Sequence, residues 1–110
     1  MSGKFEIGQS KTNKYLFNLK TSNSQVILTS LMYQTKGSAE NGIHSVKANV
    51  GTDARFERST ATNGKPYFTL KATNGEIIGR SELYATAAAM EKGISSVKSN
   101  APDASVVDLT

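Results

Sequence analysis

"GIHSVKAN" at 42–49 and "GISSVKSN" at 93–100 say nearly the same thing 51 residues apart. Extending that offset aligns "KFE" at 4–6 with "RFE" at 55–57 and "FNLK" at 17–20 with "FTLK" at 68–71, with no gap. Of the 46 positions from Lys4 to Asn49, 18 are identical to their partners 51 residues later, several times what unrelated stretches share. The chain is an internal duplication, with a first repeat over about 4–51 and a second over about 55–110. Two copies are too few for a solenoid, so the halves are expected to complete one core within one domain.

Each half reads as three strands and a helix. In "KFEIGQS", Phe5 and Ile7 alternate with Lys4 and Glu6, the period of a half-buried strand. "KYLFNLK" sets Tyr15, Phe17 and Leu19 on one face and Leu16, Asn18 and Lys20 on the other. Turn residues around Asn23, Asn63–Gly64 and Asn74–Gly75 separate the strands. The third strands, "QVILTS" and "EIIGRS", carry adjacent apolar pairs that suit burial on both faces.

Helical spacing follows. Ala39, Ile43, Val46 and Val50 in the first copy, and Met90, Ile94, Val97 and Ala101 in the second, each draw one apolar stripe. Thr35 and Thr86 stand where a hydroxyl caps a helix, and Tyr33 and Tyr84 can pack back onto the first turn. Gly42 and Gly93 fall on the stripe, where glycine costs about 1 kcal/mol of helix propensity, so both are expected to allow close approach to the sheet. Lys47 and Lys98 face the negative helix end. Asn49 and Asn100 are expected to stop the helices in the left-handed conformation, with Pro102 preventing any continuation. The repeated phrase is thus read as the last two turns of a helix packed on a sheet.

After the second helix, "DASVVDLT" adds a short strand through Val106, Val107 and Leu109, whereas "GTDA" leads the first helix directly into "RFERST". Val107 aligns with Phe56, so the terminal strand is expected to fill the place that the strand after helix one fills in the other half. Seven strands and two helices result.

With these residues in view the chain resembles the YegP-like family of bacterial tandem-repeat proteins, through "KFE/RFE", "FNLK/FTLK", "VILTS/IIGRS" and "GIHSVKAN/GISSVKSN" along essentially its whole length. The resemblance implies an α+β fold in which two β-β-β-α(-β) units form one antiparallel sheet, exchange terminal strands and carry two helices on it. The first copy lacks the separate "APDASVVDL" closing segment. No biochemical activity is established for the family, so no catalytic residue transfers.

Composition narrows function mainly by exclusion. Zero cysteine removes disulfides, thiolate chemistry and cysteine-bearing zinc sites. With one histidine, His44, placed off the apolar stripe, and nine scattered carboxylates, no metal or nucleophile–base spacing recurs. No catalytic residue, cofactor or metal is therefore assigned, and a non-enzyme is expected. No apolar run approaches the roughly 18 residues of a membrane span, and no export signal is visible, so a cytoplasmic location is expected.

The charge of +4 and pI near 9.4 would attract polyanions weakly, but the lysines are scattered. The sheet face away from the helices is expected to show Lys20, Lys71, Leu16 and Tyr67, a candidate surface for an anion or a protein partner. An exposed edge strand is a second route to a partner or to self-association. A non-catalytic interaction module ranks first, weak nucleic-acid binding second and an enzyme third.

Overall fold

The computed structural model describes residues 3–110. The first half contains β1 (Lys4–Gln9), β2 (Tyr15–Lys20), β3 (Val26–Ser30) and α1 (Lys36–Asn49). A single 3-10 turn, Asp53–Arg55, leads to β4 (Phe56–Thr60), β5 (Pro66–Lys71), β6 (Ile77–Arg80), α2 (Ala87–Asn100) and β7 (Ser105–Asp108). All seven strands join one sheet in the order β4-β5-β6-β3-β2-β1-β7.

Pairing β3 with β6 places a pseudo-two-fold axis at the middle of the sheet, with the first repeat on one side and the second on the other. The hairpin turns rest on left-handed residues: Gly64 and Gly75 (φ 84° each) in the second repeat, matched by Asn13 (φ 62°) and Ser24 (φ 68°) in the first.

Five of the six strand pairings are antiparallel, but β1 and β7 run parallel, so the sheet is mixed rather than wholly antiparallel. The expected equivalence of β7 and β4 also needs correction. β4 is the first strand of the second half, paired with β5, whereas β7 is added outside β1. The reason is occupancy: the inner edge of β1 is already bonded to β2 over six residues. Asn100, at the end of α2, lies beside Gly3, where an added Cβ would come within 3.2 Å of Asn100 Oδ1. The chain leaving α2 therefore enters the sheet at the start of β1 and can only run alongside it.

Phe5, Ile7, Phe17, Leu19, Phe68 and Leu70 turn one sheet face toward the helices and are almost wholly buried, together with Ile43, Val46, Ile94 and Val97. Register shifts between Leu19 and Lys20, and between Leu70 and Lys71, sit opposite β3 and β6. Ile27 and Leu28 are consecutive in β3 and both buried in this core. α1 packs on β1 and β2 but also reaches β6, and α2 packs on β5 but also reaches β3. Each helix thus covers strands of both repeats, and one interior is completed by the two copies together.

The repeated phrase now has a physical account. Thr35 Oγ1 accepts from the Ser38 N–H and Thr86 Oγ1 from the Ala89 N–H, both at 3.1 Å. A Cβ on Gly42 would lie 2.5 Å from Tyr33 Oη and 2.9 Å from Phe17 Cε2, and one on Gly93 would meet Tyr84 Oη and Cζ. The tyrosines stack on those same phenylalanines, with centroids 6.3 Å apart for Tyr33–Phe17 and 6.2 Å for Tyr84–Phe68. Half-burial raises both tyrosine hydroxyl pKa values above the usual range.

Asn49 and Asn100 do end the helices, but not in the left-handed conformation. The residues that follow, Val50 and Ala101, stay right-handed. Each asparagine is nearly buried, and its amide donates back to the carbonyl four residues earlier, Ser45 O at 2.7 Å and Ser96 O at 2.8 Å. Neither helix ends through a change of backbone hand.

Candidate binding face

Cross-strand register defines what the sheet presents on the side away from the helices. Glu57 pairs with Thr69, Thr69 with Arg80, Arg80 with Thr29, Thr29 with Asn18, Asn18 with Glu6 and Glu6 with Val107. One row therefore crosses all seven strands, polar except at Val107, with Arg80 and Thr29 at the pseudo-two-fold axis. Thr29 Oγ1 donates to Asn18 Oδ1 at 2.8 Å, fixing part of the row.

Lys20, Lys71, Leu16 and Tyr67 share this face, but they do not form one cationic patch. β2 and β5 are three strand spacings apart, about 14 Å, and run in opposite directions. Lys20 and Lys71 consequently lie on opposite sides of the polar row. Each is also neutralised: Lys20 Nζ lies 2.7 Å from Glu6 Oε1, and Lys71 Nζ lies 3.1 Å from Glu57 Oε2. Lys4 joins the first pair at 3.2 Å. Hydrogen bonds from Lys20 and then Lys4 hold the Glu6 carboxyl below its ordinary pKa against the opposing effect of burial.

Arg80 was not singled out by the sequence. Among the described residues its guanidinium has no carboxylate partner, and it lies 5.9 Å from the centroid of the Tyr67 ring. The available signal was divergence, since Arg80 aligns with Thr29 across the duplication and the fold therefore does not require a cation there.

Two depressions flank Arg80. One, of about 370 Å³, is lined by Val26, Thr29, Ser30, Leu31, Arg80, Ser81 and Glu82. The other, of about 500 Å³, includes Thr60, Tyr67, Arg80, Glu82 and Leu83. Ser30 and Ser81 are committed to the fold. Their hydroxyls accept from Phe17 N–H (2.8 Å) and Phe68 N–H (2.9 Å) and donate to the carbonyls of Leu31 and Glu82.

The sheet edges look different from the open templates expected. Ala61 N–H bonds to Lys65 O across the β4–β5 hairpin, so alternation turns the backbone groups of Phe56, Arg58 and Thr60 outward. Phe56 N–H is already taken by Asp53 O, and Arg58 Nη1 reaches Phe56 O at 3.4 Å. The Arg58 guanidinium is held by Glu91 at 2.7 and 3.0 Å and by Asp53 at 3.1 Å, and Lys98 also meets Asp53 at 2.8 Å. Lys98 and Arg58 lower the Asp53 pKa to about 2.

At the other edge, β7 is four residues long and Asp108 is paired with Lys36 at 2.8 Å. A charged residue on the covered side of each edge strand, and the shortness of one of them, disfavour strand addition.

His44 lies exposed on α1, and no three His, Asp or Glu residues converge as a metal-binding group among the described residues. No described helix is long and apolar enough to cross a membrane.

The duplicated unit itself decides the family. A model described as a domain of unknown function, DUF1508, matches residues 10–57 and again 61–108. The chain belongs to the DUF1508 family. A UPF0339 protein of Acinetobacter baylyi is 54% identical over 110 residues, covering all of this chain and 99% of that protein. The UPF0339 protein YegP of Escherichia coli K12 is 50% identical over the full length of both.

The solution NMR structure of the protein of unknown function yegP from E. coli superposes with a TM-score of 0.95, covering 100% of this chain and 95% of the other at 50% identity. That of a UPF0339 protein from Shewanella oneidensis gives 0.94 at 45% identity, covering 100% and 93%. The DUF1508 unit ends in β4 in its first copy and in β7 in its second, so each unit's closing strand pairs outside its own unit.

Proposed function

We propose that this DUF1508 protein is a non-catalytic protein-interaction module that binds through the sheet face turned away from the helices. Arg80 carries the reading: it stands at the centre of that face without a carboxylate partner among the described residues, while Lys4, Lys20 and Lys71 are all paired. An exposed cation that the duplication does not require, set beside an aromatic ring and two depressions, suits recognition better than solubility alone. The guarded edges turn the proposal from strand addition to this face. Pairing of Lys20 and Lys71 with glutamates weakens the case for a polyanion track, which needs free cations spaced along a backbone.

Photo-crosslinking in cells tests it. A photoreactive residue in place of Leu16 or Lys71 is expected to capture a protein, whereas one in place of His44 or Lys92, exposed on the helices, is expected to capture nothing. Adducts formed only from the helix positions, or adducts from the sheet face that nuclease removes, would overturn the proposal.

A further inference from the structure

The depression at the sheet centre is built from two copies of one segment. Thr29, Ser30 and Leu31 form one wall, and their counterparts Arg80, Ser81 and Glu82 form the other. The serines are identical because both close a strand ladder onto a phenylalanine amide. The flanking positions have diverged: threonine against arginine, and leucine against glutamate. A groove that symmetry would make alike on both sides therefore has one wall that carries charges and one that carries none, where Leu31 and Val26 supply apolar surface.

We infer that this central depression takes an extended acidic–apolar peptide segment of a partner protein, with a carboxylate on Arg80 and an aliphatic side chain against Leu31 and Val26. The inference rests on the open-face reading and names the chemistry that face selects. A volume of about 370 Å³ lies in the range of small ligand sites and holds a few side chains rather than a folded surface. The guanidinium offers a planar fork of donors that matches a carboxylate, and Tyr67 under it favours one orientation. Leu31 is 42% exposed, an apolar surface that a partner's aliphatic group would remove from water.

Carboxylates decide between a peptide and a nucleic acid. Glu82 lines the same depression, and Glu6 and Glu57 stand toward the two ends of the row. A chain of phosphates would meet Glu82 beside Arg80 and, farther along the row, lysines already paired with Glu6 and Glu57, whereas a single carboxylate flanked by backbone amide donors meets Arg80 and offers Glu82 an N–H.

The test uses the isotope-labelled full chain and two blocked peptides, acetyl-Leu-Asp-Leu-Asp-Leu-amide and its Asn-for-Asp counterpart, with octathymidylate as the anionic control. The aspartate peptide is expected to shift the Arg80 side-chain resonance and the amides of Thr29, Leu31 and Ser81. Its affinity is expected to fall about tenfold with the asparagine peptide, and similarly in Arg80→Gln, the usual scale for one charge-assisted hydrogen bond. Leu31→Ser, at an exposed position, is expected to weaken binding without changing the rest of the spectrum.

Equal affinity for the two peptides, no effect of Arg80→Gln, no shift at all, or tighter binding of octathymidylate at these residues would overturn the inference. Shifts confined to Leu16, Lys20 and Lys71 would overturn it while leaving the open-face reading intact. Shifts confined to the helices would overturn both.

Discussion

Ile7 and Arg58 occupy the same position in two copies of one unit, and their surroundings account for the difference. Ile7 lies in β1, held between β2 and β7, and is 1% exposed, with Leu109 N–H bonded to its carbonyl. Arg58 lies in β4, which has a strand neighbour on one side only among the described residues. There the side chain turns to Glu91, Asp53 and the Phe56 carbonyl. An aliphatic residue serves where a further strand excludes water, and a charge serves where the edge is bare.

A likeness accompanies that contrast. Lys47 and Lys98 each lie over the phenylalanine of their first strand, 5.8 Å from the Phe5 centroid and 5.5 Å from that of Phe56. Each also holds the segment that follows the other helix, Lys47 donating to Ala104 O at 3.0 Å and Lys98 to Asp53 at 2.8 Å. Ala104 and Asp53 are themselves 51 residues apart, so the two ties reach matched positions, one through a backbone carbonyl and the other through a carboxylate.

If position in the sheet rather than local sequence sets these differences, matched substitutions should separate the halves. Phe5→Ala is expected to destabilise by about 3–5 kcal/mol, as for a fully buried ring that leaves a cavity. Phe56→Ala should cost measurably less, because an edge strand can collapse or admit water. Both rings make the same edge-on contact with their neighbour at 5.7 Å, so equal losses in denaturant unfolding would break the comparison.

A smaller separation is expected at the glycines. A methyl at either glycine first meets the hydroxyl of a half-buried tyrosine, Tyr33 or Tyr84, but the buried ring behind it differs: Phe17 lies 2.9 Å away at Gly42 and Phe68 3.3 Å away at Gly93. Gly42→Ala should therefore overpack by about 1–3 kcal/mol. Gly93→Ala should cost less, since its buried ring stands farther off and the gain in helix propensity, equal at the two sites, offsets more of the loss. The same unfolding series, with Tyr84→Phe added to Gly93→Ala, resolves the two.

The least effect is expected from Asp53, whose matched residue, Ala104, carries no charge. Its carboxyl pKa is lowered to about 2 by hydrogen bonds from Lys98 and Arg58. A lowered folded-state value means the contribution is present above the ordinary carboxylate range, near 4, and is lost as pH falls toward 2. Asp53→Asn should flatten the stability profile between about pH 4 and 2, and added salt should shrink the difference. An unchanged acid limb would show that the cluster contributes nothing to folding.

Much of the fold was legible because the duplication offered two readings of each element. The alternation around Phe5 and Phe17, the stripes through Ile43 and Ile94, the capping threonines and the stripe glycines all follow from periods that local sequence carries. The direction of β7 was not legible, because nothing in "SVVD" says whether its neighbour will run with it or against it. The asparagines show a finer limit: residue type marked the helix end, but that the side chain bonds back into the last turn without a left-handed residue was visible only in the structure. On the candidate binding face, the sequence brought Lys20, Lys71, Leu16 and Tyr67 to one side of the sheet but could not show that Glu6 and Glu57 would meet the lysines, nor that Arg80 would stand apart.

By itself the sequence determined a doubled unit, two helices on a seven-stranded sheet, and which side chains fill the interior, because hydrophobic period and capping act within a few residues. Tertiary structure alone decided the parallel placement of β7, the guarding of β4 by Arg58 and the isolation of Arg80. Those outcomes depend on which strands become neighbours and in what register, and that is settled only when both halves close around one core.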